Sequence, residues 1–142
     1  MTFLGETSAV QVWQDATAQW LYVRWRGRYD FHAAGESWSF LVQCLQQHPC
    51  PKLLNDARDA ATGWTGRETW AGESLFPLLG QAGVQYMACV YPTALSARFS
   101  LDATLTTASQ PFVAAFEDVA TACSWLEQQR PSVCAHNEQL AN

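Results

Sequence analysis

Two carboxylates, Asp56 and Asp59, flank Arg58 in the stretch KLLNDARDAATGWTGRE, and a second polar pair, Tyr91 and Thr93, follows further along the chain. Paired carboxylates are the material of acid–base and metal chemistry. Here they lack a neighbouring histidine or third acid, and the arginine between them makes an ion pair the simpler use of their charge. The three histidines, His32, His48 and His136, are far apart, and no H-x-x-x-H, G-x-S-x-G, G-x-G-x-x-G or Walker pattern occurs. Five cysteines, Cys44, Cys50, Cys89, Cys123 and Cys134, form no C-x-x-C pair and fit reduced thiols packed as small hydrophobes. Cys89 is expected to be inert in mid-strand; Cys50, held between two prolines, is expected to be the most reactive. The residues therefore assign no catalytic group, no metal and no cofactor.

The elements that position these groups follow from local pattern. Leu53 and Leu54 read as a short buried strand that breaks at Asn55-Asp56. Thr65-Gly66-Arg67-Glu68 has the form of a capping box, in which the threonine oxygen accepts from an amide three residues on and the glutamate reaches back. A helix should start near Gly66 and run to Gln81, burying Ala71, Leu75, Leu78, Leu79 and Ala82, with Pro77 kinking it and Gly83 ending it in a left-handed conformation. In open α/β sheets, ligands bind beyond the carboxyl ends of the strands, where Asp56, Arg58 and Asp59 emerge beside Tyr91 and Thr93.

Upstream, residues 9–15 and 19–26 alternate and are joined by so short a link that they must pair as a hairpin. Leu21, Val23 and Trp25 fall on one face of the second strand, expected to be core; Trp20, Tyr22, Arg24 and Arg26 fall on the other. Arginines and aromatics so arranged can stack on single-stranded bases, but arginine stems covering a sheet face or a subunit contact fit an acidic chain better. Asp30 should cap a helix carrying Phe31, Ala34, Trp38, Leu41, Val42 and Leu45, closed before Pro49. Residues 84–91 read as a strand covered on both sides, residues 92–99 as a shorter helix followed by a Ser/Thr-rich connection, and Phe112 to Phe116 as a last strand. Asp118 heads a closing helix in which Val119, Ala122, Cys123 and Leu126 share a face, ended by Pro131. The expected order is ββαβαβαβα: a single α/β domain over residues 1–130, its sheet mostly parallel behind an N-terminal β-hairpin, with a mobile tail over residues 131–142.

Bulk properties narrow the partners. The 142 residues carry 8 basic and 13 acidic side chains, a formal charge of −5, which argues against duplex nucleic acid or an anionic membrane. Residues 74–97 carry no charge, but their prolines, glycines and glutamines divide them into a helix end, a turn and a strand rather than a membrane span. Charged residues amount to 15% against an ordinary figure of about 25%, and seven Trp, four Tyr and seven Phe exceed what a small core readily encloses. An apolar surface patch used in self-association or ligand binding is expected. MTFLGETSAV has neither the basic nor the long apolar region of a secretory signal, and a cytoplasmic location is expected.

LLNDARDAATGWTGRETW, LFPLLGQAGVQYMACVYP and FVAAFEDVATACSWL resemble blocks of small bacterial STAS or SpoIIAA-like proteins, over roughly residues 9–129. The resemblance implies a non-catalytic protein-interaction or regulatory module with an unidentified protein partner, and the apolar patch adds the expectation of a homodimer. Its binding edge would comprise Asp56, Arg58, Asp59, Trp64, Thr65, Trp70, Tyr91 and Thr93. In regulatory members a phosphorylated Ser or Thr starts the helix after the central strand; Thr65 matches by position, with Trp64 where those members carry Asp. The aromatic excess also fits a small apolar-ligand or lipid carrier, and a third class, an enzyme, would require Asp56, Asp59 and Tyr91 to converge in a pocket.

Overall fold

Six strands share one sheet in the computed structural model, which describes residues 1–61, 74–107 and 110–132. The alternating segments form β2 (Val10–Asp15) and β3 (Trp20–Gly27), an antiparallel hairpin pairing Trp13 with Tyr22 and Gln11 with Arg24. The Asp15 carboxylate accepts from the Ala18 amide at 3.0 Å to close the turn. Ahead of the hairpin, a strand absent from the sequence reading, β1 (Thr2–Glu6), pairs antiparallel with β2. It escapes a pattern search because it is short and its register shifts between Phe3 and Gly5, which breaks the alternation. Gly5 lies at φ +152°, and a Cβ there would come within 2.8 Å of the Phe40 ring. Phe40 belongs to α1 (Phe31–Gln47), so this helix packs against β1 at Gly5.

Asp30 caps α1 as expected, its carboxylate accepting from the Ala33 amide at 2.7 Å. The chain then alternates strand and helix: β4 (Lys52–Ala60), α2 (Phe76–Gln81), β5 (Tyr86–Val90), α3 (Leu95–Thr107), β6 (Phe112–Phe116) and α4 (Val119–Gln128). The strands stand side by side in chain order, and β3 through β6 are mutually parallel, so the sheet is mixed, with antiparallel pairing confined to β1–β3. When successive parallel strands step always in one direction, right-handed crossovers put the intervening helices on one face. Accordingly Trp38, Leu41 and Leu45 of α1, Phe76 and Leu79 of α2 and Leu101 of α3 pack in one core with Val23, Trp25, Leu53, Met87 and Cys89. After β6 no further strand follows among the described residues. α4 folds back over the opposite face, where Ala122 and Leu126 meet Trp20, Leu54, Ala88 and Val90. Leu21, Val23 and Trp25 are core, as their alternation predicts.

Four expectations need correction. The order is βββαβαβαβα among the described residues, one strand more than ββαβαβαβα. β4 does not break at Asn55-Asp56 but continues to Ala60. Those residues favour turns when their side chains bond locally. Here Trp25 Nε1 donates to Asn55 Oδ1 at 2.7 Å and Arg58 binds Asp56, so tertiary and strand-borne partners satisfy them inside the sheet. The Ser/Thr-rich segment after Phe99 is helix: α3 runs to Thr107, with Thr104 Oγ1 donating to the Ser100 carbonyl at 2.8 Å, so its hydroxyl is satisfied without leaving the helix. In α2, Leu78 is exposed rather than buried and Pro77 sits in the first turn, where a missing amide costs little. Gly83, at φ +107°, follows α2 as expected. The capping box at Thr65, the helix start near Gly66, Ala71 and the tail from residue 133 lie outside the described residues. No helix among the described residues is long and apolar enough to cross a membrane.

Candidate functional site

Alternation along β4 places Asn55 toward α1–α3 and Asp56 toward the α4 side. Asp56 is 1% exposed. A lone carboxylate so buried would be costly, and this one is bound on every side. Arg58 grips it through Nε at 2.9 Å and Nη2 at 2.8 Å, the Arg58 amide donates at 3.1 Å, and the Tyr22 hydroxyl of the adjacent strand donates to Oδ2. Burial by itself pushes the Asp56 carboxyl up, but the bonds from Arg58 and Tyr22 outweigh it and hold the group below its ordinary value. The converse falls on Tyr22, whose phenol is pushed up to about 12 by burial and by the carboxylate beside it. Asp56 is thus fixed as an anion and Tyr22 as a neutral donor.

Asp59 takes a different partner, Arg24 of β3, at 2.6 Å, and both side chains are about half exposed. A register shift in β4 opposite Arg24 and Arg26 makes this diagonal contact. Arg26 in turn binds Glu6 at 3.0 Å. Tyr91, just beyond β5, joins neither acid. It donates to Asp102 of α3 at 2.6 Å, and Arg98 lies over its ring at 4.3 Å while binding Glu117 at 2.5 Å. The Asp102 bond, then burial, pushes the Tyr91 phenol up to about 12. Thr93 is exposed in the bend between β5 and α3.

The sequence-predicted residues therefore fall into three groups. Asp56 and Arg58 are directly bonded; Asp59 and Tyr91, in separate networks, and the exposed Thr93 stand apart from them; Trp64, Thr65 and Trp70 lie outside the described residues. Asp56 and Asp59 do not bond one another, and Tyr91 bonds Asp102 rather than either acid. The partners that sequence reasoning missed are Tyr22 as a ligand of Asp56, and Arg98, Asp102 and Glu117 around Tyr91. Tyr22 carried a signal, its place beside Arg24 on the polar face of β3; the Arg98 group carried none, since a helix and a strand end bring it together.

Cys50 is buried rather than reactive: burial raises its thiol, and Gln14 Nε2 lies 3.9 Å from the sulfur. Among the described residues no group of three His, Cys, Asp or Glu side chains is placed to hold a metal ion. An open cleft is lined, among the described residues, by Pro77, Gly80, Gln81 and Gln110, none of them ionisable. Compared with known proteins, the chain matches no family model, no curated protein and no solved structure.

Proposed function

We propose that this chain is a non-enzymatic interaction module of the STAS or SpoIIAA-like kind, acting in the bacterial cytoplasm, that presents the carboxyl edge of β4 and the segment through Trp70 to a protein partner. The observation that carries this reading is the state of Asp56. A general acid or base needs a proton affinity near the working pH, whereas this carboxylate is held ionised and fully bonded. Such a group fixes a surface rather than moving a proton. The strand–helix alternation from β3 to α4 fits the order that the resemblance implies. Within this reading Thr65 is the residue whose phosphorylation would add charge at the capping-box sequence and change the partner's affinity.

The test is affinity capture from the native cell with the wild-type chain, Trp64→Ala and Thr65→Glu as baits. A protein retained by the wild type and lost by both variants is the expected outcome. Equal retention by all three would remove the edge from consideration.

A further inference from the structure

Half of one sheet face has no described helix over it. α4 covers the β4–β6 part of that face, reaching the margin at Trp20 and Tyr22. Across β1–β3 the pairing sets out two rows on the same side: Phe3, Trp13 and Tyr22 in one, and Glu6, Gln11 and Arg24 in the next. The rings of Phe3 and Trp13 lie 5.4 Å apart and those of Trp13 and Tyr22 5.5 Å apart, so the row is prearranged. Phe3 and Trp13 join neither core cluster, and Phe3 is 51% exposed.

We propose that this half-face is where two copies of the chain meet, sheet against sheet. A closed pair of facing sheets has its two-fold axis in the plane between them, and such an interface must match itself. With that axis along β2, each β1 lies over the other copy's β3 while the rows stay in step, apart from the roughly 30° offset usual for aligned sheets. Trp13 then meets the partner's Trp13, Phe3 meets the partner's Tyr22, and Glu6 meets the partner's Arg24. The acid column and the basic column exchange places, which is the charge pattern a two-fold contact needs.

Charge also decides between occupants. The chain as a whole carries −5 and repels its own copy. On this half-face, however, Arg24 and Arg26 are balanced by Asp59 and Glu6. Two copies meeting here add no like charge in the Gln11 and Trp13 rows; the Asp15 row, the one place where this axis sets like charges opposite one another, lies at the end of β2 on the side of α4. A nucleic-acid strand would need free cations to replace its counterions, and these guanidinium groups already have carboxylate partners. Three short strands make a small interface, so association in the micromolar range is expected. The inference rests on the reading of the chain as an interaction module, whose partner edge adjoins this face at the Arg24–Asp59 pair.

Sedimentation velocity from low micromolar to several hundred micromolar tests it, with circular dichroism confirming that each variant folds. The wild type should shift to a dimer with concentration. Trp13→Glu should remain a monomer, while Phe99→Glu, at an exposed ring on α3, should dimerise as the wild type does. Glu6→Arg, which sets like charges against Arg26 and against the partner's Arg24, should weaken the dimer at least tenfold, and Glu6→Gln, which removes the charge without reversing it, should weaken it less. A wild type that stays monomeric throughout, a dimer indifferent to Trp13→Glu, or a single-stranded oligonucleotide bound in a Trp13-dependent way would each overturn the proposal. A monomer that still loses its partner on Trp64→Ala overturns the dimer alone. A Trp13-dependent dimer whose partner is retained by Trp64→Ala and Thr65→Glu overturns the edge alone.

Discussion

Replacing Arg58 by methionine should destabilise the fold more than replacing the carboxylate that Arg58 holds. Arg58→Met removes the two short guanidinium bonds, at 2.9 and 2.8 Å, and leaves Asp56, at 1% exposure, with the Tyr22 hydroxyl and one backbone amide. Stranding one member of a buried ion pair costs about 3–5 kcal/mol. The Arg58 side chain is 49% exposed, so water replaces part of what it supplied, and a loss of about 2–4 kcal/mol is expected. Asp56→Asn instead leaves a half-exposed arginine that rehydrates and an amide oxygen that Tyr22 still reaches, for a loss of about 1–2 kcal/mol. The double variant contains no stranded charge and should be more stable than Arg58→Met alone. The pH dependence supplies a second readout. In the wild type the folded-state pKa of Asp56 lies below its unfolded value, so its contribution is present above the unfolded pKa and is lost as pH falls through the folded one. Without the guanidinium, burial is opposed only by the Tyr22 hydroxyl and the residue-58 amide, and the folded-state pKa is expected to rise from its wild-type position past the unfolded value. Protonation then favours the folded state, and the gap between Arg58→Met and wild type should narrow as pH falls from about 7 toward about 4. Urea unfolding at both pH values, with unchanged slope, measures it. A loss under about 1 kcal/mol, or a gap independent of pH, would refute the buried-anion argument.

Gly5→Val places a Cβ against the Phe40 ring at a backbone conformation side chains rarely adopt, and a loss of about 1–3 kcal/mol is expected by thermal unfolding. Phe40→Leu in the same chain should recover the contact part and leave the backbone part. Thiol labelling of the folded protein should modify Cys123 before Cys44, Cys50 and Cys89, because Cys123 is the one partly exposed thiol among the described cysteines and burial pushes Cys89 up to about 12. Peptide mass analysis finding Cys50 modified first would restore the reactivity its proline-flanked position suggests.

What the sequence determined by itself is the set of decisions made within one turn or one hairpin. Asp30 and Asp118 cap α1 and α4 because a carboxylate and the amide three residues on are set by local geometry alone, at 2.7 Å in both helices. The β2–β3 hairpin and the two-sided burial of β5 follow from periodicity, which needs no knowledge of the partner. β6 was likewise legible, its apolar run bounded by residues that break strands. The tertiary structure decided the rest. Asn55 and Asp56 remain in a strand because Trp25 and Tyr22, 30 and 34 residues away, together with Arg58, satisfy them. β1 exists because β2 offers it an edge, and the Ser/Thr stretch of α3 is helical although its composition suggests a loop. The candidate site belongs to the second kind: sequence placed Asp56, Arg58 and Asp59 together, but which acid each arginine takes depends on a register shift between β3 and β4. Short-range hydrogen bonds and alternation are written in neighbouring residues, whereas the fate of a buried charge is set by whatever the sheet brings beside it.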